Sequence, residues 1–359
     1  MLKIILTLDY EIHGNGDGSP DALMVEPTRR MLDQFDRYGA KLTIMADVAE
    51  ILKFREYHEQ TGRDDFHYEA IAGQLRDAVR RGHDVQLHVH ASYLKARCEQ
   101  GRWIQDWSEY SFADLPPTRV AEILKLGKDY LESLLRPVQA DYRCDVFRAA
   151  NWSMCPSKNA VRALLAEGFR IDTSVFKYGR RDGLVHFDYS NAYSELEPWR
   201  IDESDVCRRD DSGRLWEAPI YCERRGIAAF LSVNRFYRAL QSRAHRFTQA
   251  YGQPEGGNAP AGPRPSALRR VLGLLFSRHA WKADFNQCTG RQLIRALRRA
   301  EKAHPSPAPG LPFVLIGHSK LYTRFNESSL EPFLTHVASR PDRFAFGVFA
   351  DLPLQTGPV

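Results

Sequence analysis

Short apolar runs alternate with segments of helical periodicity along the first 220 residues of the chain. The run at residues 2–8 predicts a strand, whereas the spacing of Ile71, Leu75 and Val79 places three apolar side chains on one face of a helix. Strand and helix succeed each other several times, which predicts a parallel β-sheet, either open or closed into a barrel. The predicted strands cover residues 2–8, 41–45, 82–90, 142–147, 169–172, 215–221, 313–317 and 344–349, and the predicted helices begin near residue 27 or cover residues 71–81, 118–135, 157–166 and 290–302.

Residues 82–90, GHDVQLHVH, form an alternating pattern that ends in two histidines. In a strand, Gln86, His88 and His90 point to one face and the apolar residues between them point to the other. Two imidazoles that converge at the carboxyl end of a strand can bind a metal ion. The same pattern also fits histidines with purely structural roles, so other parts of the chain have to distinguish the two interpretations.

The first predicted strand ends with a similar pattern, because Thr7, Asp9 and Glu11 share one face. The carboxyl ends of strands in a parallel barrel open onto one rim, so these two carboxylates are expected to meet His88 and His90 there. Two imidazoles and one carboxylate with an open coordination position suit Zn²⁺ or a similar divalent ion. The second carboxylate is then available to transfer protons, and the combination indicates hydrolytic chemistry.

The composition favours a soluble intracellular protein. Of the 359 residues, 43% are hydrophobic, and no run approaches the roughly 18 uninterrupted apolar residues typical of a membrane span. The six cysteines are scattered without a C-x-x-C pair, which favours reduced thiols over disulfides or a thiolate zinc site. The first strand ends in Asp9 rather than at a small-residue cleavage site, so no signal peptide is predicted and we expect a cytoplasmic location.

Positive charge is concentrated in one part of the chain. The net charge is +5, yet residues 223–310 contain 16 lysines and arginines against four acidic residues. We interpret this segment as a basic helical and loop insertion, with flexible loops predicted at residues 252–265 and 305–310. Residues 266–282 are both basic and apolar, which fits a helix packed on the fold or a peripheral membrane contact with anionic lipid or a polyprenyl-linked substrate. Basic charge without a recognisable nucleic-acid-binding module gives no ground to expect nucleic acid as a partner.

Five short motifs occur in order, each at the end of a predicted strand. They are LDYE at residues 8–11, GHDVQLHVH at 82–90, FRAANW at 147–152, GFRIDTS at 168–174 and LIGH at 315–318. Together they resemble the motifs of polysaccharide deacetylases of the NodB-homology type, carbohydrate esterase family 4 and its relatives. The resemblance extends over most of the chain. It implies an α/β fold, a distorted (β/α)7-type barrel, formed by residues 1–359 as a single domain with the basic segment inserted.

The resemblance also implies roles for the motif residues. Glu11, His88 and His90 are expected to bind a divalent metal, with Zn²⁺ as the expected ion, and Asp9 is expected to act as the catalytic base. Arg148 is expected to keep Asp9 ionised by an ion pair. Both acidic residues of the first motif stay candidates for the metal ligand, because one residue separates them here whereas the family has adjacent aspartates.

Three further motif residues complete the implied site. His318 is expected to protonate the departing amine, a role that suits an imidazole titrating near neutrality. Trp152 is expected to wall the substrate groove, and Asp172 to orient a catalytic partner or the substrate. A core aromatic and a turn residue are the alternative interpretations of these last two side chains.

These features favour a metal-dependent deacetylase that hydrolyses the N-acetyl group of a sugar, with an intermediate of surface polysaccharide synthesis as the expected substrate. The alternative is a non-catalytic protein that binds a glycan or a lipid carrier on the same barrel. Three departures from the family pattern motivate it: Tyr10 within the first motif, Ser92 at the usual position of the second histidine, and Ala150 in place of a proline.

Overall fold

A computed structural model describes residues 1–244, 277–305 and 310–354 of the chain. The strands are β1 (Leu2–Tyr10), β2 (Leu42–Asp47), β3 (Asp84–Val89), β4 (Arg97–Glu99), β5 (Arg102–Ile104), β6 (Val146–Ala149), β7 (Ile171–Asp172), β8 (Arg180–Arg181), β9 (Phe187–Asp188), β10 (Trp199–Asp202), β11 (Asp205–Arg209), β12 (Trp216–Glu217), β13 (Cys222–Arg225), β14 (His279–Lys282), β15 (Leu311–His318) and β16 (Phe344–Phe346). The helices are α1 (Glu26–Asp36), α2 (Val48–Thr61), α3 (Tyr68–Arg80), α4 (Pro117–Leu135), α5 (Ser157–Ala166), α6 (Val233–Ala244), α7 (Gly290–Ala303) and α8 (Arg324–Ala338).

The main sheet follows the strand order β11-β10-β12-β7-β6-β3-β2-β1-β15, with β16 also paired to β1. All neighbours from β12 to β15 pair in parallel, whereas β10 and β11 add an antiparallel edge. The predicted α/β fold with a parallel sheet is thereby confirmed. Three separate two-stranded sheets are formed by β13 with β14, β4 with β5, and β8 with β9.

The main sheet curls into a half-barrel, and the predicted closed (β/α)7 barrel is not confirmed. Strands β7 and β12 contribute only two residues each, so the hydrogen-bonded ladder narrows on that side. Among the described residues, isolated bridges join Ile220 to Val314 and Asp284 to Ile316. The segments that follow β12 and β14 therefore each contact β15 through a single bridge and do not form a continuous ladder with it.

Helix α3 forms as its periodicity predicts, with Ile71, Leu75 and Val79 all buried. Helix α2 has no counterpart in the predicted pattern, because its buried residues crowd its first two turns instead of recurring along one face. Its ends are nevertheless well specified. The side chain of Asp47 accepts the N–H of residue 49 at the start of the helix, and Gly62, with a φ of 68°, ends it in a left-handed conformation.

Strand β6 begins later than the sequence predicts. The pattern indicates a strand over residues 142–147, but β6 covers Val146–Ala149. The side-chain amide oxygen of Gln86 accepts hydrogen bonds from the backbone N–H groups of Asp145 and Val146, at 3.0 and 2.9 Å. A side chain thus takes the place of a backbone partner where a strand is predicted. Strand β6 also ends two residues later than predicted, so that Arg148 belongs to it and lies opposite His88 in β3.

The described part of residues 223–310 forms β13, α6, β14 and α7. The predicted loop at residues 252–265 lies outside the described residues, as does most of the basic and apolar segment 266–282. The described end of that segment is strand β14, which pairs with β13 in antiparallel orientation. Every helix that the structure describes is too short or too polar to span a bilayer. The single domain over residues 1–359 stays a prediction.

The absence of a side chain at Gly317, the residue before His318, is required by packing. A Cβ atom added at Gly317 would overlap the ring of Phe285, and both residues are buried. We expect Gly317→Ala to lower the free energy of unfolding by about 1–3 kcal/mol, because the ring has to leave its place in a close-packed core. Denaturant-induced unfolding measures the change.

Gly73→Ala on the exposed face of α3 is the matched control, since no atom lies within 4 Å of its added Cβ. It should stabilise the protein by about 0.5–1 kcal/mol, because alanine is favoured over glycine inside a helix. A Gly317→Ala variant as stable as the wild type would contradict the constraint inferred for Phe285.

Candidate active site

Neighbouring parallel strands deliver charged side chains to one edge of the sheet. In the register of β1 and β15, Asp9 lies opposite His318, and in the register of β3 and β6, His88 lies opposite Arg148. Each of these residues stands at or next to the carboxyl end of its strand. Parallel α/β folds form their active sites at this edge.

Glu11, His88 and His90 form a group that could hold a metal ion. One carboxylate oxygen of Glu11 lies 2.7 Å from Nε2 of His90 and 3.4 Å from Nε2 of His88. The three ligand atoms all lie within 4.8 Å of one another. Glu11 and His88 are buried and His90 is half-buried, so the group opens to one side, as expected of a site that also admits a substrate.

Both histidines direct their Nε2 atoms at the carboxylate of Glu11. Nδ1 of His88 is hydrogen-bonded to the backbone oxygen of Arg148 at 2.9 Å, which leaves Nε2 directed at Glu11. A carbonyl partner on the second nitrogen is the usual way in which a metal-binding imidazole is oriented. The donor set of two nitrogens and one carboxylate oxygen therefore fits a divalent ion of the Zn²⁺ type.

Lys320 neutralises the other side of the Glu11 carboxylate. Its Nζ lies 2.6 Å from the second oxygen of Glu11 and also donates to the backbone oxygen of Ile12 at 3.0 Å. Burial alone would raise the pKa of Glu11, but Lys320 and His90 hold that pKa well below its usual range. No sequence pattern marks Lys320, although its position two residues after His318 places it near the same rim.

Asp9 belongs to a second group, formed with Arg148 and His318. Arg148 is fully buried, and its Nη1 donates to Asp9 at 2.7 Å while its Nε donates to the backbone oxygen of Thr173 at 3.0 Å. Burial favours the neutral acid, but the charge of Arg148, helped by His88 and His318, lowers the pKa of Asp9. Asp9 is thus a buried carboxylate that stays ionised at neutral pH.

His318 bridges the two carboxylates. Its Nε2 lies 3.5 Å from Asp9 and 4.0 Å from Glu11, and its backbone N–H donates to the side-chain oxygen of Asn286 at 2.6 Å. Burial lowers the pKa of His318 more than the two carboxylates raise it. The imidazole is therefore neutral at neutral pH and able to accept a proton.

Two buried acids that no sequence pattern marks support the backbone around Glu11 and the two histidines. Asp47, at the end of β2, accepts the backbone N–H of His90 at 3.1 Å, and Glu50 accepts the backbone N–H of Ile12 at 2.9 Å. Burial raises the pKa of both carboxyls, most strongly that of Glu50, whose pKa Asp47 and Glu11 also raise. They fix the backbone of His90 itself and of the residue that follows Glu11.

Asp172 lies behind the rim instead of in it. It is fully buried, and it accepts a hydrogen bond from Ser174 at 2.6 Å. Its neighbour Glu217 is equally buried, and burial together with Asp172 raises the pKa of Glu217 well above its usual range. The side chain of Asp172 has no exposed surface in the structure, and its role in orienting a catalytic partner or the substrate stays a prediction.

Trp152 follows β6 and is half-buried at the rim. Its ring meets the ring of Phe176 edge to face, with centroids 5.3 Å apart. The Nζ atom of Lys282 lies 3.6 Å from the centroid of the Trp152 ring. The predicted wall of the groove therefore carries a positive charge that the sequence analysis did not anticipate.

The structure brings six of the eight candidate residues into one cluster, with Trp152 beside it and Asp172 behind it. The six are Asp9, Glu11, His88, His90, Arg148 and His318. The geometry groups Glu11 with the histidines and Asp9 with Arg148, as the sequence analysis assigned them. Their roles in a reaction stay proposals.

No protein-family model and no curated protein matches the chain. Solved structures do resemble it. A protein from Parabacteroides distasonis described as a glycoside hydrolase/deacetylase has a TM-score of 0.55 at 12% identity, covering 97% of this chain and 69% of that one. A GH57-type branching enzyme from Pyrococcus horikoshii has a TM-score of 0.51 at 11% identity, covering 97% of this chain and 69% of that one.

A protein from Mycobacterium smegmatis described as a polysaccharide deacetylase has a TM-score of 0.47 at 14% identity, covering 97% of this chain and 88% of that chain. At these identities the likeness shows the fold alone. The chemistry is therefore argued from the site.

Metal binding to this group should release a proton. Burial alone would lower the pKa of His88, but the hydrogen bond to Glu11 and the charges of Asp9 and Glu11 raise that pKa to about 9. The metal-free protein therefore carries a protonated His88 at neutral pH, whereas a metal ligand has to be neutral. Calorimetry of Zn²⁺ binding in buffers of different ionisation enthalpy should show proton release, and the affinity should rise with pH up to about 9.

His58→Ala, which removes a half-buried histidine on α2, is the control and should leave the proton release unchanged. A binding enthalpy that is the same in every buffer would contradict the inferred protonation of His88.

Proposed function

We propose that the protein is a metal-dependent hydrolase that removes an N-acetyl group from a carbohydrate. The observation that carries the proposal is the pairing of two groups at one rim: a Glu-His-His set suited to a divalent ion, and an ionised aspartate held by a buried arginine beside a neutral histidine. The likeness in fold to a protein described as a glycoside hydrolase/deacetylase supports the same class.

The metal is proposed to be Zn²⁺, held by Glu11, His88 and His90. Two imidazoles and one carboxylate are a common ligand set of hydrolytic zinc sites, which keep a coordination position open. When bound, such an ion supplies a Lewis acid that polarises the acetamide carbonyl and lowers the pKa of water.

Asp9 is proposed to be the general base. The ion pair with Arg148 keeps it ionised, so its carboxylate can accept a proton from the water whose oxygen forms the new bond to the acetyl carbon. The bond that breaks is the one between that carbon and the sugar nitrogen. Arg148 is fully buried and bonded on both sides, so it positions Asp9 without reaching a substrate itself.

His318 is proposed to deliver a proton to the departing amine. Its Nε2 lies 3.5 Å from Asp9, so a proton taken from water has a short path through the imidazole to the sugar nitrogen. A lowered pKa makes the protonated imidazole a stronger acid, which favours this transfer. Proton balance is kept, because the proton removed from water ends on the amine product.

The sugar is proposed to rest against Trp152 at the rim, since aromatic rings present apolar surface to pyranose rings. Three points stay predictions: that the substrate is an intermediate of surface polysaccharide synthesis, that the protein is cytoplasmic, and that it makes a peripheral membrane contact.

Acetate release from N-acetylated sugars tests the proposal. The wild-type protein loaded with Zn²⁺ should release acetate from N-acetylglucosamine or its short oligomers. Asp9→Asn should lower the rate by about 10²–10⁴-fold and leave the metal content unchanged, because it removes only the base. His88→Ala should lower both the rate and the metal content.

Asp129→Asn on the exposed side of α4 is the matched control and should match the wild type in both measurements. Rates that are unchanged in Asp9→Asn and His88→Ala would contradict the proposed function. Sugar binding with bound metal and no turnover would favour the non-catalytic glycan-binding alternative.

A further inference from the structure

The segment after β14 is hydrogen-bonded to the carboxyl-terminal part of β15, close to His318. The N–H of Ala283 donates to the backbone oxygen of Tyr221 at 2.9 Å, and the oxygen of Ala283 accepts the N–H of Ile316 at 3.0 Å. Asn286, three residues further on, holds the backbone of His318. Lys282, the residue that ends β14, therefore stands beside the rim of the candidate active site.

Lys282 has no acidic partner there. Its Nζ lies over the ring of Trp152, 3.6 Å from the centroid, and 4.2 Å from the centroid of Phe176. Within the described part of the chain, it makes no ion pair or hydrogen bond through Nζ, although it is half-buried. Burial lowers the pKa of Lys282 to about 8, against the opposing charges of Asp284 and Asp9, so the side chain is still charged at neutral pH.

A second cation lies close to it. Arg238, on α6, is half-buried and lies one helical turn after Asn234. The side-chain N–H of Asn234 donates to the backbone oxygen of Cys288 at 3.0 Å, and the Sγ atom of Cys288 lies 3.5 Å from the backbone oxygen of Lys282, so this face of α6 adjoins the end of β14. The positive charge of Arg238 also contributes to the lowered pKa of Lys282. Arg238 likewise has no carboxylate partner among the described residues. Two like charges that are partly removed from water and left unpaired cost free energy, which an anion placed between them would offset.

We propose that Lys282 and Arg238 bind a phosphate group of the substrate, so that the enzyme acts on a phosphorylated N-acetyl sugar. The inference rests on the proposed function and specifies its substrate class. Two positive charges match a phosphate monoester, which carries a charge of about −1.5 to −2 at neutral pH, better than they match a single carboxylate. With Trp152 packed against Lys282, the phosphate and the sugar ring would be recognised side by side.

Binding measured by calorimetry tests the proposal without requiring turnover. The probes are N-acetylglucosamine carrying a phosphate on its anomeric oxygen, N-acetylmuramic acid as the carboxylate analogue, and uncharged N-acetylglucosamine. The wild-type protein should bind the phosphosugar most tightly. Lys282→Met should weaken phosphosugar binding by about 10–100-fold, the range of a lost charge-assisted hydrogen bond, and weaken binding of the uncharged sugar by a much smaller factor.

Two further variants make the test specific. Lys282→Arg keeps the charge and should retain most of the preference for the phosphosugar. Lys128→Met is the matched control, because Lys128 is also half-buried over an aromatic ring, that of Phe169, but lies on α4. In the active enzyme, Lys282→Met should raise KM for the phosphosugar by a larger factor than KM for the uncharged sugar.

Equal binding of the phosphosugar and the uncharged sugar by the wild type would overturn the proposal, as would a preference that survives in Lys282→Met or no phosphosugar binding at all. A preference for N-acetylmuramic acid would overturn the assignment to phosphate. If the predicted binding pattern is found but no sugar releases acetate, the deacetylase function fails and the phosphate site stands.

Discussion

Two carboxylates, Asp9 and Glu11, are buried side by side at the end of one strand, and the rest of the site depends on how their charges are neutralised. A buried carboxylate without a partner would protonate or destabilise the fold. The chain therefore supplies each with its own cation: Arg148 for Asp9 and Lys320 for Glu11. Because the two cations differ, so do the environments of the two acids.

This separation gives the carboxylates different tasks. Asp9 is held by a rigid guanidinium and has His318 as its other neighbour, an arrangement suited to proton transfer. Glu11 turns one oxygen to Lys320 and the other to His88 and His90, an arrangement suited to holding a cation. In the metal-free protein, the positive charge of the protonated His88 partly balances the charges of the two carboxylates, as the charge of a bound metal ion would.

The core of this site could be predicted from the sequence because it depends on two local rules. Side chains alternate along a strand, and the carboxyl ends of parallel strands meet at one edge of the sheet. These two rules predict that the pair Asp9 and Glu11 lies close to the pair His88 and His90. The same rules predicted the parallel sheet. They could not predict whether the sheet closes, since that depends on how many residues β7 and β12 contribute.

The residues that no sequence pattern marked are placed by contacts outside the alternating pattern of the predicted strands. Lys320 is placed by a turn after β15, Asp47 and Glu50 by the start of α2, and Lys282 by the pairing of β13 with β14. None has a local pattern that marks it. The late start of β6 had the same kind of cause, because a side chain, Gln86, replaced a backbone partner there.

The central claim is that Glu11, His88 and His90 hold a metal ion. Anomalous X-ray diffraction from crystals grown with Zn²⁺, recorded on both sides of the zinc absorption edge, tests it most directly. We expect one peak within about 2.0–2.2 Å of Oε2 of Glu11 and of Nε2 of both histidines. A zinc-loaded crystal with no peak at these three atoms, or with a peak held by Asp9 in place of Glu11, would contradict it.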